Sequence, residues 1–301
     1  MENALQKDLD TLKSIYDFSY LFSVEMSTKN IVSYYKKNKY LFYRLMAKSK
    51  SGMMHMGLSD DGIGLKNKFY GDYQVKYIDK LIKEKRCKSV LEIGSGQGAN
   101  LLYLAKRNQE CSFYGVDLYP SIDKSLENVT LLQGDYHDLS KMEKHSMDLV
   151  YGIETLCYSI NKDQVFQEVH QVLKKGGLFV LFDGYANKER ENLTDLEKEV
   201  TLLTEKGWVL DCFEYVHYLD KYALRNGFSI LKKEDMKPKL QAHVDSYKER
   251  LDQVFHHKYF CKWAFSFVPK EVLGNLVPVY FLSNGIRNDL FCYYQHVFEK
   301  K

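Results

Sequence analysis

Proline is scarce in this 301-residue chain, with four in all, and tryptophan is scarcer, with two. So little proline argues against a proline-rich linker and leaves helices free to run. Cysteine occurs six times (Cys87, Cys111, Cys157, Cys212, Cys261, Cys292), with no C-x-x-C pair and no histidine at metal-ligand spacing. This excludes a zinc ribbon and predicts small core residues in a reducing compartment, with no metal bound. An excess of one charge is missing too: 43 basic against 40 acidic side chains leave a formal +3, which gives no reason to expect a nucleic-acid partner. No apolar run approaches the ~18 residues of a membrane span. The charged opening stretch, MENALQKDLDTLKSIYDF, has no apolar core of signal-peptide length. A cytoplasmic location without an integral membrane segment is the expectation.

Aromatic residues are abundant instead, with 24 Tyr and 17 Phe. Many tyrosines suit a large half-polar cavity or a codon bias, and composition does not choose between them. The length allows one large domain with an appendage, or two small ones. Leu5, Leu9, Leu12 and Tyr16 recur at helical steps, which predicts an amphipathic helix over 3–22. IVSYYKKNKYLFYRLMAKSK then alternates aromatic and basic residues, and the glycine-rich SGMMHMGLSDDGIG is expected as an irregular loop. Residues 1–70 therefore read as a helical, aromatic-rich N-terminal cap, and 71–301 as the main domain.

From Lys88 the pattern changes. KSVLEIG, SFYGVD, VTLLQGD, MDLVYGIE and LFVLFDGY are short apolar runs. Helical stretches separate them: ANLLYLAKRN, and KDQVFQEVHQVLKKGG with Val165, Val169 and Val172 on one face and Gly176-Gly177 as C-cap. Strands so uniformly apolar are covered on both faces, and their alternation with helices predicts a doubly wound α/β fold. Leu193, Leu196, Val200 and Leu203 mark a further helix, and LRNGFSILKKEDM a turn and a sixth strand. Residues 239–256 read as a helix through Leu240, Val244, Tyr247, Leu251 and Val254, and DLFCYYQHVFEK as a last strand.

Between the first strand and its helix, EIGSGQG sets Gly94, Gly96 and Gly98 at alternate positions. A bare backbone turn at the carboxyl end of a strand lets a ligand approach closely, and the next helix presents its N–H groups there. A tight turn with no ligand is the plain alternative. The spacing is G-x-G-x-G rather than the dinucleotide G-x-G-x-x-G. Asp117 ends the second strand, where a carboxylate can accept from ribose hydroxyls, and Asp135 with Tyr136 follows the third, placed for an adenine. Each aspartate alone could equally be a helix cap.

In this order, VLEIGSGQG, GVDLYP, QGDYHDL, DLVYGIETLCYS and VLKKGGLFVLFDG resemble class I S-adenosylmethionine-dependent methyltransferases over about residues 70–240. The resemblance implies a seven-stranded Rossmann-like sheet of order 3-2-1-4-5-7-6, with an N-terminal helical extension and a helical insertion before the antiparallel last strand. It implies S-adenosyl-L-methionine as cofactor. Glu92, Gly94, Gly96 and Gly98 would line the methionine end, Asp117 the ribose, and Asp135 and Tyr136 the adenine, with Ser95, Leu118, Gly152 and Tyr35 completing the set. YGIETLCYS, YYKKNKYLFYR and GMMHMGL look like elements of the sterol- and terpenoid-type small-molecule members. Lys175 stands where that family has the proline of L-K-P-G-G.

Glu154, after the fourth strand, is the first catalytic candidate. It could take a proton from a carbon, oxygen or nitrogen acceptor, stabilise a carbocation, or only position the cofactor. Tyr158 is a second, and His55, from a loop suited to a lid, a third. Tyr34, Tyr35, Tyr40, Phe42 and Tyr43 are candidate cover for a sulfonium, or else one packed helix face. His170 reads as structural, Cys157 as a thiol without a base, and His256-His257 as surface. The apolar region 239–285 reads as substrate cover, packing core or dimer interface. The expected function is methyl transfer from S-adenosylmethionine to a small hydrophobic metabolite, such as a terpenoid, sterol-like lipid or other natural product. The alternatives are O- or N-methylation of a polar small molecule, or an NAD-dependent oxidoreductase on the same sheet.

Overall fold

The computed structural model describes residues 2–25, 27–46, 53, 55–59, 72–120 and 126–301, with the side chains of 2, 3, 28 and 39–46 outside that set. Its elements run α1 (Glu2–Ile15), α2 (Ser19–Ser23), α3 (Thr28–Met46), α4 (Tyr73–Glu84), β1 (Ser89–Ile93), α5 (Ala99–Ala105), β2 (Ser112–Asp117), β3 (Val129–Gln133) and β4 (Met147–Ile153). They continue through α6 (Lys162–Val172), β5 (Leu173–Ala186), α7 (Asp195–Trp208), α8 (Val216–Arg225), β6 (Phe228–Asp235), α9 (Lys237–Phe255), α10 (Lys258–Phe265), α11 (Lys270–Arg287) and β7 (Phe291–Lys300).

The strands form one sheet in the order β3-β2-β1-β4-β5-β7-β6. The first five pair in parallel, and β7 runs antiparallel between β5 and β6. Successive residues of β5 alternate between the faces. Leu178, Val180 and Phe182 join the core with α4, α5, α7 and α11, while Phe179 and Leu181 join the one with α6 and α8. Along the central strands β1 and β4 and through Gly177–Asp183 of β5 both faces are dry, which is the physical reason those runs are apolar. Strand order and the antiparallel closing strand match the fold that the sequence motifs imply.

The N-terminal stripe of Leu5, Leu9, Leu12 and Ile15 is buried in the same core as α7 and α11. Those two helices approach closely: a Cβ on Gly207 would lie 2.5 Å from Pro278 Cδ and 2.7 Å from the Gly274 carbonyl. Among the described residues, no helix is long and apolar enough to cross a membrane.

Local departures from the expected elements have identifiable causes. The helix expected over 3–22 stops at Ile15, because the Asp17 carboxylate accepts from the Ser19 amide (2.9 Å) and hydroxyl (2.7 Å) and starts α2 afresh. The helix expected to end at Gly176-Gly177 ends at Val172, and Lys174–Gly177 already belong to β5. No glycine cap is needed there: Lys300, at the end of β7, donates Nζ to the carbonyls of His170 (2.6 Å) and Leu173 (2.8 Å). On α9, Leu240 and Val244 are buried but Val254 is exposed. Helix α8, which buries Val216, Leu219 and Ala223, has no counterpart in the sequence reading.

Candidate functional site

After Ile93 the chain turns into α5 through three glycines, Gly94, Gly96 and Gly98, with φ of +68°, +51° and +68°. Side chains rarely adopt that left-handed region. Gly94 is constrained twice, since a Cβ there would lie 1.8 Å from Thr155 Oγ1. At Gly96 a Cβ would meet nothing within 4 Å, so bare backbone faces open space. Gly98 sits at the N-cap of α5. The open space is part of a cavity of ≈ 760 Å³ over the carboxyl ends of β1 to β4, a size typical of small-molecule sites.

Carboxyl groups dominate its ionisable lining. Among the described residues it is lined by Glu92, Asp117, Asp135, Glu154 and Asp211 against one lysine, Lys36, whose Nζ lies 4.2 Å from the centre of the Tyr119 ring. Asp117 accepts from the Gly96 amide at Oδ2 and the Tyr119 amide at Oδ1, both at 2.8 Å, and so ties the glycine turn to β2. Glu92 is buried; Asn100 donates to Oε1 (2.8 Å), while Oε2, buried near the Tyr151 hydroxyl, makes no hydrogen bond of ordinary geometry. Burial pushes this carboxyl up to about 8, and the Asp117 charge adds to the rise. Asp135 Oδ1 accepts from the His137 amide (2.9 Å) and lies 2.6 Å from His137 Nδ1, whose Nε2 lies 2.7 Å from Ser159 Oγ. That chain pins the loop after β3 to the loop after β4. Tyr136 donates its hydroxyl to the Thr155 carbonyl (3.0 Å).

Glu154 holds the left-handed conformation, with φ of +50°, uncommon for a side-chain-bearing residue. Its amide donates to the Phe182 carbonyl (2.8 Å). The next turn is fixed by Asp183 Oδ2, which accepts from the amides of Thr155 and Cys157, both at 3.1 Å. Glu154 Oε1 accepts from the Met56 amide (2.6 Å) and the Tyr293 hydroxyl (2.9 Å). Gln74 donates to the Met56 carbonyl (2.7 Å), so residues 55–59 are stapled over the site from two sides. Burial pushes the Glu154 carboxyl up to about 8, with the Asp183 charge contributing. His55 is buried and pushed down to about 4 by that burial. It is therefore uncharged near neutral pH. Neither of its ring nitrogens makes a hydrogen bond of ordinary geometry.

Most of the residues expected from sequence converge on this cavity: Glu92, Gly94, Ser95, Gly96, Asp117, Leu118, Asp135, Tyr136, Glu154, Tyr158, His55 and Tyr35 all line it. Tyr35 and Tyr158 meet edge to face, ring centres 5.6 Å apart. Two of the expected glycines lie behind the wall rather than in it. Gly98 caps a helix, and a Cβ on Gly152 would press on Thr155, Ile93 and Leu181. Tyr34 does not cover the cavity: one helical step from Tyr35, it faces α11 and donates to Asn275 Oδ1 (2.7 Å). The side chains of Tyr40, Phe42 and Tyr43, and most of the glycine-rich loop around His55, lie outside the described residues. No described residue of 239–285 lines the cavity. Helix α9 instead backs its wall, with the Lys239 carbonyl accepting from the Ser59 amide (3.1 Å). Tyr293, Gln74, Thr155 and His137 were missed; only Thr155, next to Glu154, and His137, next to Tyr136, had a local signal.

Residues 91–181 match a family model described as a methyltransferase domain. Sterol 24-C-methyltransferase of Saccharomyces cerevisiae is 24% identical over 157 residues, covering 49% of this chain and 40% of that protein. The chain thus spans less than half the length of the curated relatives it matches. Among solved structures, a mycolic acid cyclopropane synthase superposes with a TM-score of 0.68 at 13% identity, over 92% of this chain and 100% of the other. Geranyl diphosphate C-methyltransferase from Streptomyces coelicolor A3(2), in complex with Mg2+, geranyl diphosphate and S-adenosyl-L-homocysteine, gives 0.59 at 13% identity, over 89% and 97%. At such identities these two share the fold.

Proposed function

We propose that this chain, whose residues 91–181 match a family model described as a methyltransferase domain, moves the methyl group of S-adenosyl-L-methionine onto a small hydrophobic metabolite. The observation behind this reading is a cavity with carboxylates at the ends of four neighbouring strands and an apolar wall of Ile31, Met53, Ile153 and Ile160. With Glu92 and Glu154 protonated up to about 8, the aspartates Asp117, Asp135 and Asp211, against Lys36 among the described lining residues, favour a cationic donor and oppose a pyrophosphate. It therefore disfavours NAD, and equally an acceptor that carries a diphosphate. The fit is local as well as global. Glu92 Oε2, buried and without a hydrogen bond of ordinary geometry, is a suitable acceptor for an ammonium group, and the open backbone at Gly96 accommodates a close ligand.

In this scheme Glu92, Ser95 and the backbone of Gly94 and Gly96 hold the methionine end, Asp117 and Leu118 the ribose, and Asp135 and Tyr136 the adenine. When bound, the sulfonium supplies an electrophilic methyl group and a neutral thioether as leaving group. Tyr35 and Tyr158 cover the reacting centre and exclude water. Neutral His55 adds no repulsion to a cation. Glu154 accepts the proton that the acceptor loses when its new bond to carbon forms, and a cation in the cavity lowers its carboxyl from about 8 toward ionisation. From the N-terminal region, Ile31, Val32, Tyr35 and Lys36 of α3, with Met53 and His55, act as the cap of this site.

Incubation with methyl-labelled S-adenosylmethionine, a lipid extract and a water-soluble metabolite fraction tests the acceptor. Label in the organic phase is expected. Label confined to the polar fraction would instead support O- or N-methylation of a polar molecule.

A further inference from the structure

Helix α10 has two unlike sides. One is seated on the core: Cys261 is buried, and the rings of Phe265 and Phe255 lie 6.2 Å apart. The other carries Tyr259, Phe260 and Trp263, and the chain just beyond the helix adds Phe267. Their exposures are 91%, 58%, 62% and 73%. Tyr259, Trp263 and Phe267 follow at steps of four, so they line one stripe with Phe260 at its edge. Trp263 touches both neighbours, 5.9 Å from Phe260 and 5.3 Å from Phe267 between ring centres. Four large rings held together in water form an apolar patch of the kind that marks an interaction surface.

Along the chain, the charges flanking the patch are of one sign. Lys258, Lys262 and Lys270 are exposed beside it, and no aspartate or glutamate occurs between Asp252 and Glu271. None of these three lysines forms an ion pair with a described residue, whereas Asp252 and the nearby Asp8 of α1 are both held by Lys248. Lys270 has Asp17 as an electrostatic neighbour, so the uncompensated positive charge beside the exposed rings is that of Lys258 and Lys262.

We propose that this face rests on the surface of an anionic lipid bilayer, with the rings in the interfacial layer and the lysines among the headgroups. Tryptophan and tyrosine suit that layer because one end of each ring system is apolar and the other polar. Lysine stems lie along the apolar boundary while their ammonium groups reach the lipid phosphates. A second copy of the chain is a poorer occupant, because a two-fold contact would set one lysine-flanked face against another. The attachment is peripheral, since no described helix can span a bilayer, and it does not depend on which reaction the cavity performs.

The test uses the full chain with vesicles of phosphatidylcholine, with and without phosphatidylserine. Co-sedimentation with the anionic vesicles, weakening as salt rises, is expected. Of the two tryptophans, Trp208 is partly buried and donates its indole N–H to Asn275 (2.9 Å), so a blue shift of emission on vesicle addition reports Trp263. Replacing Tyr259, Trp263 and Phe267 together by serine should abolish sedimentation without lowering the melting temperature. Each of Lys258→Ala and Lys262→Ala should weaken binding about fivefold. Absence of binding and of the blue shift with anionic vesicles would overturn the proposal. So would equal binding by the serine variant, or a lipid-free dimer that the serine substitutions dissociate.

Discussion

Gly94 and Gly96 share a backbone conformation but face different surroundings, and alanine separates them. At Gly94 the added Cβ collides with Thr155, so Gly94→Ala should cost about 2–4 kcal/mol from overpacking and positive φ together. At Gly96 only the backbone cost of about 1 kcal/mol is expected, yet the methyl enters the cavity and should weaken donor binding at least tenfold. Thermal unfolding and ligand titration of both variants measure the two effects separately. For Glu154, replacement by Gln should lower kcat by about 10²–10⁴ if it takes the acceptor's proton. The wild-type rate should then rise with pH as the carboxyl ionises, with a limb at or below about 8 that the Gln variant lacks. A Gln variant with unchanged kcat would remove the proton-transfer role. Glu154 itself was readable, because it follows an apolar strand at the edge shared with the glycine turn. Its partner Tyr293 was not: 139 residues separate them, and they meet only because β7 inserts beside β5.

The strands were the most readable elements, since burial on both faces writes itself as short apolar runs. Helix ends were less so, because what stops them is distant or polar. Asp17 interrupts the N-terminal helix through a local turn that hydrophobic spacing does not register. The end of α6 depends on Lys300, from the far end of the chain. Lys300→Met should therefore destabilise the protein by about 1–2 kcal/mol, by freeing the carbonyls of His170 and Leu173; urea unfolding would check it, and an unchanged midpoint would count against the capping role. Apolar content alone could not sort 239–285 into cover, packing or interface. The fold separates them: α11 packs inside, α9 backs the cavity wall, and α10 presents its rings to solvent.

Buried ionisable groups around the cavity tie the stability of the whole molecule to pH. In the folded chain Glu92 and Glu154 keep their protons up to about 8, against an ordinary 4.5. Between those values the unfolded chain binds fewer protons, so stability falls as pH rises. His55 works the other way. Its folded value of about 4 lies below the ordinary 6.5, so its contribution is present above 6.5 and is lost as pH falls toward 4. From about 6.5 to 8 the two glutamates remain, and a decline of at most about 2 kcal/mol for each is expected. Glu154→Gln should remove roughly half of it. Denaturant unfolding at the two ends of that range gives the comparison, and a flat profile in the wild type would mean that these carboxyls are already ionised in the folded chain.

Whether the cavity takes an adenosyl sulfonium or thioether rather than a dinucleotide is decided by titration calorimetry with S-adenosylhomocysteine and with NAD, on the wild-type chain and on Asp117→Ala. Micromolar binding of S-adenosylhomocysteine is expected, weakened by about 1.5–3 kcal/mol, roughly ten- to hundredfold, when Asp117 is removed, with no measurable heat from NAD. Micromolar binding of NAD without any of S-adenosylhomocysteine would contradict it.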